Sequence, residues 1–513
     1  MSLFNPSSST PNTSHGRIRK GPNKEKLMKT DTNGDFINNL PDEILVNILS
    51  KLRIDEAVRC DVLSKRWFGL WKQTSHMEFD VRHMVNPLTK LLQSREARTV
   101  PDFNTLGPSI NKIGYGFFSR VILLILTHSS ILSSCHFRHF KKSLVFGDVE
   151  TCIDFFLDRK KGIKDLCLEC VSEGEEGAEK FVFHENVYTP TFPCGIFENL
   201  ASLELINYTI ECWLPFQECR QLKKLKLKRV YLDNITLSGI LENCVVLENF
   251  MLLECNGLGR VLIVKSKLKV LQLQALCVGE IDIVTNSLEV LLLDSMICPV
   301  KDVRIYAPYL KTFRSYNYSI YARMVAANGE NSIAKTHQIF AQCSDLVMGP
   351  TTRSIFQNLS TLSIDLDLNN LREAGLLSYV MRLCKHLRAI DIYLPVFRPR
   401  ITHKSIICSS DILCLMSTFW EKRESCCCIS QKLKFVSVRG FRGKEHELKF
   451  AKYVITKAIM LKRITIICSD SMTKAETLFS LPRASGNLFI NLKLNANNPM
   501  DEFAEHQNRM LKW

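Results

Sequence analysis

A short apolar motif recurs along the middle of the chain, and it limits the folds that the chain can adopt. The motif reads L-x-x-L-x-L, with phenylalanine replacing one leucine in the third copy. Successive copies fall about 20 to 25 residues apart, and one strand per copy cannot bury its apolar face alone. Stacked copies can, because they form a parallel sheet over a continuous core. The clearest copies begin at Leu200, Leu222, Leu247, Leu268 and Leu288.

Alternation within each copy assigns the side chains to two faces of the strand. The leucines of Leu-x-Leu point to the core, and the x residues point to the opposite face. Each buried leucine contributes roughly 1.5–3 kcal/mol, which over many copies offsets the entropy cost of ordering the chain. The sequence therefore predicts an α/β fold, a leucine-rich-repeat solenoid whose curved parallel sheet forms a horseshoe. Fainter copies begin at Ile163, Leu310, Leu359, Leu387, Leu433 and Leu461.

The x residues are expected to line the concave face of the horseshoe. They form a mixed polar face with an apolar patch at Met251, Leu253 and Leu292, which suits recognition of another protein. Alternatively, a neighbouring loop or the C-terminal segment covers some of these positions. The candidate target-binding residues are Glu204, Ile206, Lys226, Lys228, Met251, Leu253, Gln272, Gln274, Leu292 and Asp294.

A small amphipathic unit precedes the repeats at residues 36–71. Its apolar residues recur at three- and four-residue spacing, which predicts a helix with one apolar stripe. Pro41 suits a first helical position, and Asp42 and Glu43 suit the positive end of a helix. A core of this size is marginal alone, so we expect the unit to depend on a partner.

The residues of this unit closely resemble the F-box, in particular the plant type. The similarity rests on Leu40-Pro41-Asp-Glu-Ile44-Leu45, followed by Ala57-Val58, Val62-Leu63-Ser-Lys-Arg66-Trp67 and Leu70-Trp71. The resemblance implies docking on a Skp-family adaptor that joins the protein to a cullin-based ubiquitin ligase. The alternative is a helical hairpin that packs on its own chain. By the resemblance, Leu40, Pro41, Ile44, Leu45, Ile48 and Leu49 bind the adaptor, with Val62, Leu63 and Trp67 supporting that face.

Residues 433–466 resemble the FBD segment of plant F-box/leucine-rich-repeat proteins. The matching elements are a strand, a Gly-Phe-x-Gly turn, an amphipathic helix and a second strand. The helix is predicted from Glu447 to Met460. Its apolar face is expected to contain Leu448, Ala451, Ile455 and Ile459. The F-box, the repeats and this segment, in that order, resemble the plant F-box/FBD/LRR family.

These features divide the chain into six predicted segments. The first is poor in apolar residues and cannot offset the cost of ordering. The segments are a disordered basic arm at 1–34, the F-box at 35–80, a connecting segment and N-terminal cap at 81–160, leucine-rich repeats at 161–400 with an insertion near 317–357, FBD-like repeats at 401–470, and a C-terminal strand and tail at 471–513.

The net charge of +15 raises the alternative of a nucleic-acid-associated factor. The basic residues are spread along the chain, with local clusters such as residues 223–229, and no groove-reading motif accompanies them. We therefore favour the interpretation that they form a solvated face of the repeat array.

No sequence pattern indicates catalysis, a cofactor or a membrane. The chain contains no glycine-rich phosphate loop, nucleophile elbow or H-E-x-x-H motif. Cys167 and Cys170 form a lone C-x-x-C, whereas a structural zinc site needs four ligands. The longest apolar run is far short of a bilayer span, and no apolar leader is visible, so we expect a cytosolic or nuclear protein.

The leading hypothesis, which follows the resemblance, is a non-catalytic substrate-recognition subunit of a Skp–cullin–F-box ubiquitin ligase. The F-box would dock on the adaptor, and the repeats would hold a target protein. The alternatives are an F-box scaffold protein outside any ligase and the nucleic-acid-associated factor.

Overall fold

The fold is described from a computed structural model of the chain. It describes residues 37, 39–84, 116–140, 148–157, 162–171, 192–296, 303–316, 356–394, 420 and 426–494, except residues 266 and 370. The predicted basic arm at 1–34, nearly all of the insertion near 317–357, and the tail beyond 494 lie outside the described residues.

A parallel sheet of fourteen strands runs through the described part of the chain, and its strands follow one another in chain order. Three further strands form a second parallel sheet, whose buried residues join the same apolar core. The main sheet contains β1 (His76–Asp80), β2 (Ser134–Phe140), β3 (Asp165–Val171), β4 (Ser202–Ile206), β5 (Lys224–Lys228), β6 (Asn249–Leu253), β8 (Val270–Gln274), β10 (Val290–Asp294), β12 (Thr312–Tyr316), β13 (Thr361–Asp365), β14 (Ala389–Tyr393), β15 (Phe435–Phe441), β16 (Arg463–Cys468) and β17 (Phe489–Leu494), and the second sheet contains β7 (Arg260–Val264), β9 (Glu280–Val284) and β11 (Val303–Tyr306).

Helices pack on the core side of the main sheet in several repeats. A helix is about 10 Å wide whereas neighbouring strands are about 4.8 Å apart, so such stacking curves the sheet away from the helices. We call the outer face of the sheet, opposite the core, the concave face. The helices are α1 (Asp42–Leu49), α2 (Ile54–Arg59), α3 (Val81–Met84), α4 (116–127), α5 (Asp148–Leu157), α6 (Asn234–Asn243), α7 (Leu371–Leu383), α8 (Cys427–Gln431), α9 (Glu445–Lys457) and α10 (Thr473–Glu476), with 3-10 turns at Cys60–Val62, Leu70–Gln73, Leu214–Phe216 and Thr477–Ser480.

The predicted leucine core is confirmed. Parallel pairing without register shifts aligns the same motif position from β4 to β10, and the aligned side chains are all buried. The leucine-rich-repeat solenoid is thus the architecture of the chain. The aligned residues are Leu203, Leu225, Phe250, Leu271 and Leu291.

The sheet begins earlier in the chain than the predicted repeat region at 161–400. In β1 and β2, Met77 lies opposite Cys135 and Phe79 lies opposite Phe137, and all four side chains are buried. Aromatic and sulfur-containing residues occupy the leucine positions there. The first two strands therefore stack like repeats although they lack the leucine motif.

The N-terminal helices are continuous with the repeat core. Trp67 and Trp71 belong to an apolar cluster that extends to Ile490 near the end of the sheet. The backbone N–H of Ser129 also donates to the Lys72 carbonyl oxygen over 3.0 Å. The expectation of a unit that depends on a foreign partner for its core is therefore corrected, because the repeats supply apolar contacts to it.

The residue that follows each central strand has a left-handed backbone. Arg229, Glu254, Ala275 and Ser295 have φ values of 51°, 57°, 51° and 52°, which residues with a Cβ seldom adopt. The N–H groups of Arg229, Glu254 and Ala275 each donate to a carbonyl of the next strand of the main sheet, over 2.8, 2.8 and 2.9 Å. Bonds between repeats therefore stabilise a turn that each repeat alone disfavours.

Residues 435–468 form the strand–helix–strand unit that the FBD resemblance implies. Helix α9 buries Phe450, Ala451 and Val454. The predicted extension of this helix to Met460 is wrong, because Ala458 has a nonhelical backbone and Ile459 is 58% exposed.

Gly440 is required by the way β15 ends. Its φ is 74°, and the register with β16 shifts between Arg439 and Phe441. A Cβ at this position would lie 2.5 Å from the carbonyl oxygen of Leu394, closer than real Cβ contacts. The neighbouring repeat therefore excludes a side chain here.

We expect Gly440→Ala to lower the free energy of unfolding by on the order of 1–3 kcal/mol because of this clash with the backbone. The matched substitution Gly375→Ala lies within α7, where no neighbouring atom is within 4 Å of the new Cβ. It should raise stability by about 0.5–1 kcal/mol, since alanine favours a helix. Urea denaturation followed by circular dichroism measures the stability of both variants. Equal unfolding midpoints for the two would contradict the clash at Gly440.

Candidate functional site

Helix α1 divides its apolar residues between the core and the surface. Leu45 and Leu49 are 0% and 1% exposed, whereas Ile44 and Ile48 are 44% and 40% exposed. Pro41 precedes the helix with ψ of 150° and is exposed, and Leu40 is half-buried. Of the predicted adaptor-binding residues, Leu45 and Leu49 hold the helix on the core of this chain. Adaptor binding by the predicted set stays a prediction.

The segment after α2 exposes three apolar side chains. Val62, Leu63 and Phe68 are 86%, 61% and 72% exposed, whereas Trp67 is buried. The resemblance implies that Val62 and Leu63 support the adaptor-binding face. Both side chains are instead more exposed than Ile44 and Ile48 and are open to direct contact. Phe68 was missed, because it lies in a turn where no periodicity separates exposed from buried residues; its size beside a buried tryptophan was the available signal.

Hydrogen bonds that involve two charged residues, Asp61 and Arg66, fix this segment. Asp61 accepts from the backbone N–H of Gly69 over 2.8 Å and from the indole N–H of Trp71 over 3.2 Å. Arg66 donates to the Asp42 carboxylate over 2.7 Å, which ties the segment to the start of α1. We call the exposed apolar residues of the two segments the docking patch: Ile44, Ile48, Val62, Leu63 and Phe68.

The docking patch suits protein binding and offers no reactive group. Burial of an Ile, Leu, Val or Phe side chain contributes roughly 1.5–3 kcal/mol. Several such side chains grouped on a small module indicate an interface whose binding energy comes from apolar contact.

The predicted concave-face residues form two adjacent rows from β4 to β10, as alternation implied. The pairing of the strands places each residue beside its counterpart in the next repeat. One row contains Glu204, Lys226, Met251, Gln272 and Leu292, and the other contains Ile206, Lys228, Leu253, Gln274 and Asp294.

The predicted apolar patch on this face is largely closed. Leu253 and Leu292 are only 4% and 7% exposed, and Met251 is half-buried. Leu292 packs against Val290 and Tyr393, and the tyrosine comes from β14, three strands further along the sheet. The expectation of an open patch is corrected for Leu253 and Leu292. The tyrosine that packs on Leu292 belongs to a strand of the sheet, not to a neighbouring loop or to the C-terminal segment.

The polar members of the two rows differ in accessibility. Glu204 and Lys226 form an ion pair of 2.6 Å, with 28% and 21% of their side chains exposed. Lys228 and Gln274 are half-buried. Ile206, Gln272 and Asp294 are buried, at 8%, 4% and 3% exposure, so they shape the face more than they present contacts.

A charged network that sequence reasoning missed continues this face toward β1. Arg138 donates to Glu169 over 2.7 Å, lies 3.2 Å from Asp80, and also contacts Glu78. His136 Nε2 lies 3.4 Å from the Glu169 carboxylate. The available signal was the alternation of apolar and polar residues in Cys-His-Phe-Arg, which marks a strand without the leucine motif.

This network perturbs the titration of Glu169. Burial disfavours its charged form, but His136 and Arg138 favour the carboxylate more strongly and lower the pKa of Glu169 from 4.5 to about 2. Because the folded pKa is depressed, the carboxylate stabilises the fold above pH 4.5. That contribution is lost as the pH falls from 4.5 through about 2.

We expect Glu169→Gln to destabilise the protein at pH 7 and to have a smaller effect as the pH falls below 4.5. The physical reason is that wild-type Glu169 loses the same charge on protonation. Chemical denaturation of both proteins across this pH range measures the difference, with exposed Glu211→Gln as the control. A difference that stays constant with pH would count against the network.

The two cysteines of the lone C-x-x-C lie on opposite faces of β3. Three residues apart on a strand, Cys167 lies on the concave face and Cys170 is buried in the core. Within the described ranges, no group of three or more metal-ligating side chains occurs. In the same part of the chain, no helix combines the length and apolarity needed to span a bilayer.

Three family models match the chain in the order of its structural parts. An F-box-like model matches residues 37–75, which include the docking patch. A model of the LRR repeats of the FBD-associated F-box protein At5g56370 matches residues 174–392, and an FBD model matches residues 421–466.

The chain is also similar to F-box proteins from Arabidopsis thaliana. The chain is 27% identical to F-box protein At1g80960 over 68% of each chain. It is 28% identical to putative F-box protein At1g67390 over 53% of this chain and 52% of that protein. It is 27% identical to F-box/FBD/LRR-repeat protein At2g04230 over 44% of each. With the repeat sheet between the F-box-like and FBD segments, these matches confirm the predicted resemblance to the plant F-box/FBD/LRR family.

Proposed function

We propose that the protein is the substrate-recognition subunit of a Skp–cullin–F-box ubiquitin ligase. In this proposal the docking patch binds a Skp-family adaptor, and through it a cullin, while the repeat array binds a target protein. The chemistry of ubiquitin transfer belongs to other subunits, and this chain raises the effective concentration of the target near them. The family matches support the adaptor part, and the concave face is our candidate for the target.

The exposure of Val62, Leu63 and Phe68 is the observation that carries the proposal. These side chains stand in water at 86%, 61% and 72% exposure although Trp67 beside them is buried. Exposed apolar surface of this kind is unfavourable in an isolated protein and becomes favourable when a complementary partner covers it. The F-box-like match over residues 37–75 points to a Skp-family adaptor as that partner.

On the target side, the proposal assigns contacts to the partly accessible polar residues. Glu204, Lys226, Lys228 and Gln274 can hydrogen-bond or pair with a partner, whereas Leu253 and the other buried members hold the face in shape. We place the complex in the cytosol or the nucleus.

The two alternative functions make different demands. A scaffold outside any ligase would bind the adaptor but recruit no cullin. A nucleic-acid-associated factor would lose affinity steeply as salt rises. The pairing of Lys226 with Glu204 reduces the free charge of the basic cluster at residues 223–229, which favours the receptor over this second alternative.

We expect Ile44→Glu combined with Val62→Glu to abolish co-purification of a Skp-family adaptor, because both substitutions bury a charge in an apolar interface. Ile235→Glu is the matched control, since Ile235 is 75% exposed on α6, away from the docking patch. Wild type and both variants are co-expressed with a plant Skp-family adaptor and recovered through a tag on this chain.

Equal adaptor recovery from the double variant and the control would refute the docking assignment. Circular dichroism establishes that both variants are folded. Recovery of the adaptor without a cullin, when the three proteins are co-expressed, would favour the scaffold over the ligase subunit.

A further inference from the structure

A ladder of residues runs along the edge of the main sheet where the strands begin. The backbone N–H of each residue donates to the carbonyl of its counterpart in the preceding repeat, over 2.8 to 2.9 Å. The ladder therefore fixes which side chains are neighbours along this edge. From β6 to β16 its members are Glu248, Lys269, Glu289, Lys311, Ser360, Arg388, Lys434 and Lys462.

The first half of this ladder is electrically balanced. Acidic and basic residues alternate, and Lys269 pairs with Glu248 over 2.9 Å while Lys311 pairs with Glu289 over 2.8 Å. These pairs are exposed and contribute little to stability. Their effect is to cancel the charge of the edge over these repeats.

The last three members of the ladder, which follow Ser360, are all basic. Arg388, Lys434 and Lys462 follow one another without an intervening acid. The segments that lead into β13 to β17, at 357–360, 384–388, 431–434, 458–462 and 481–488, contain no aspartate or glutamate. Among the described residues these three cations form no ion pair.

Exposed aromatic rings lie directly beside this basic row. Parallel pairing places Phe435 of β15, Arg463 of β16 and Phe489 of β17 opposite one another. Phe435 and Phe489 are 46% and 59% exposed, and Arg463 is exposed between them. A guanidinium between two open aromatic rings, next to three further cations, is a surface with both apolar and electrostatic binding capacity.

We propose that these six residues, which we call the basic–aromatic edge, bind a short acidic segment of a partner protein that also carries aromatic or aliphatic side chains. The edge comprises Arg388, Lys434, Phe435, Lys462, Arg463 and Phe489. Acidic side chains of the partner pair with the four cations, and its apolar side chains pack on the two rings. The inference rests on the proposed function only in identifying this partner as the target of the receptor.

The size of the edge favours a peptide over a nucleic acid. Strands are about 4.8 Å apart, so Arg388, Lys434 and Lys462 extend over only about 10 Å. Proteins that bind nucleic acids tightly neutralise about 6 to 10 phosphates. Further along the edge, Glu248 and Glu289 cancel the charge that a longer polyanion would need.

The chain contains one competing occupant of its own. Residues 495–513 lie outside the described residues and include Asp501, Glu502, Phe503 and Glu505. This sequence has the composition that the edge should bind. Its presence makes removal of the tail a necessary arm of the test.

The test measures binding of a fluorescein-labelled peptide, two repeats of Glu-Phe-Glu-Asp-Leu-Glu, to the purified full chain by fluorescence anisotropy. A peptide with glutamine and asparagine replacing the acids is the probe control. The triple variant Arg388→Gln, Lys434→Gln, Lys462→Gln removes charge while retaining size. Lys223→Gln with Lys224→Gln is the matched control, because both lysines are exposed at the start of β5.

We expect the triple variant to weaken peptide binding about tenfold or more and the control to change it less than about twofold. Phe435→Ser with Phe489→Ser should weaken binding at any salt concentration, since it removes apolar contact. Circular dichroism shows that each variant is folded, and because this measurement does not depend on adaptor binding, the result stays separate from the outcome of the docking test.

Three results would overturn the proposal. One is equal peptide affinity of the triple variant and wild type. Another is tighter binding of a single-stranded oligonucleotide of equal charge, which would assign the edge to nucleic acid. The third is a rise of about tenfold or more in peptide affinity when the chain ends at Leu494, which would make the tail the resident occupant.

Discussion

The in-register stacking of parallel strands is the constraint on which the rest of the structure depends. Backbone bonds between repeats hold each left-handed turn, as at Arg229 and Glu254, and they align each motif position with its counterpart. A core position that is buried in one repeat is therefore buried in the next. The same alignment places residues that are tens of positions apart in sequence side by side in straight rows on the surface. Each repeat contributes one residue to each row, and the rows determine the chemistry of the surface.

The periodic part of the fold could be predicted because it depends on local alternation. Leu225 and Leu271 occupy the same position of the repeated motif, and both are buried. Their burial can be predicted from the motif alone, without reference to distant residues. The closure of the concave face could not be predicted in this way. Leu292 is covered partly by Tyr393, and their contact exists only because intervening repeats bring β14 near β10. The missed charged network around Arg138 had a similar cause, since its strand carries no leucine motif.

The docking patch shows a second limit of periodicity. Spacing along α1 identified the apolar residues correctly but not which of them face the core, and Leu45 and Ile44 are adjacent yet differ from 0% to 44% exposure. The core side is set by the position of Trp67 and Trp71 and of the first strand behind them. The predicted C-terminal end of α9 is wrong for a comparable reason. The turn into β16 requires Ala458 in a nonhelical conformation, which the apolar spacing does not reveal.

The helical unit that carries the docking patch shares one apolar core with the repeats, and this continuity bears directly on the proposed function. A receptor gains effective concentration only if its two binding surfaces keep a restricted separation. A helical unit on a long linker would lose much of that gain to chain entropy. Here the His128 ring nitrogen bonds the Thr74 carbonyl over 2.8 Å, and Trp71 packs in the shared core. A rigid junction of this kind would hold a target bound to the repeats at a defined position relative to the adaptor, so the junction matters to the proposed role as much as either surface.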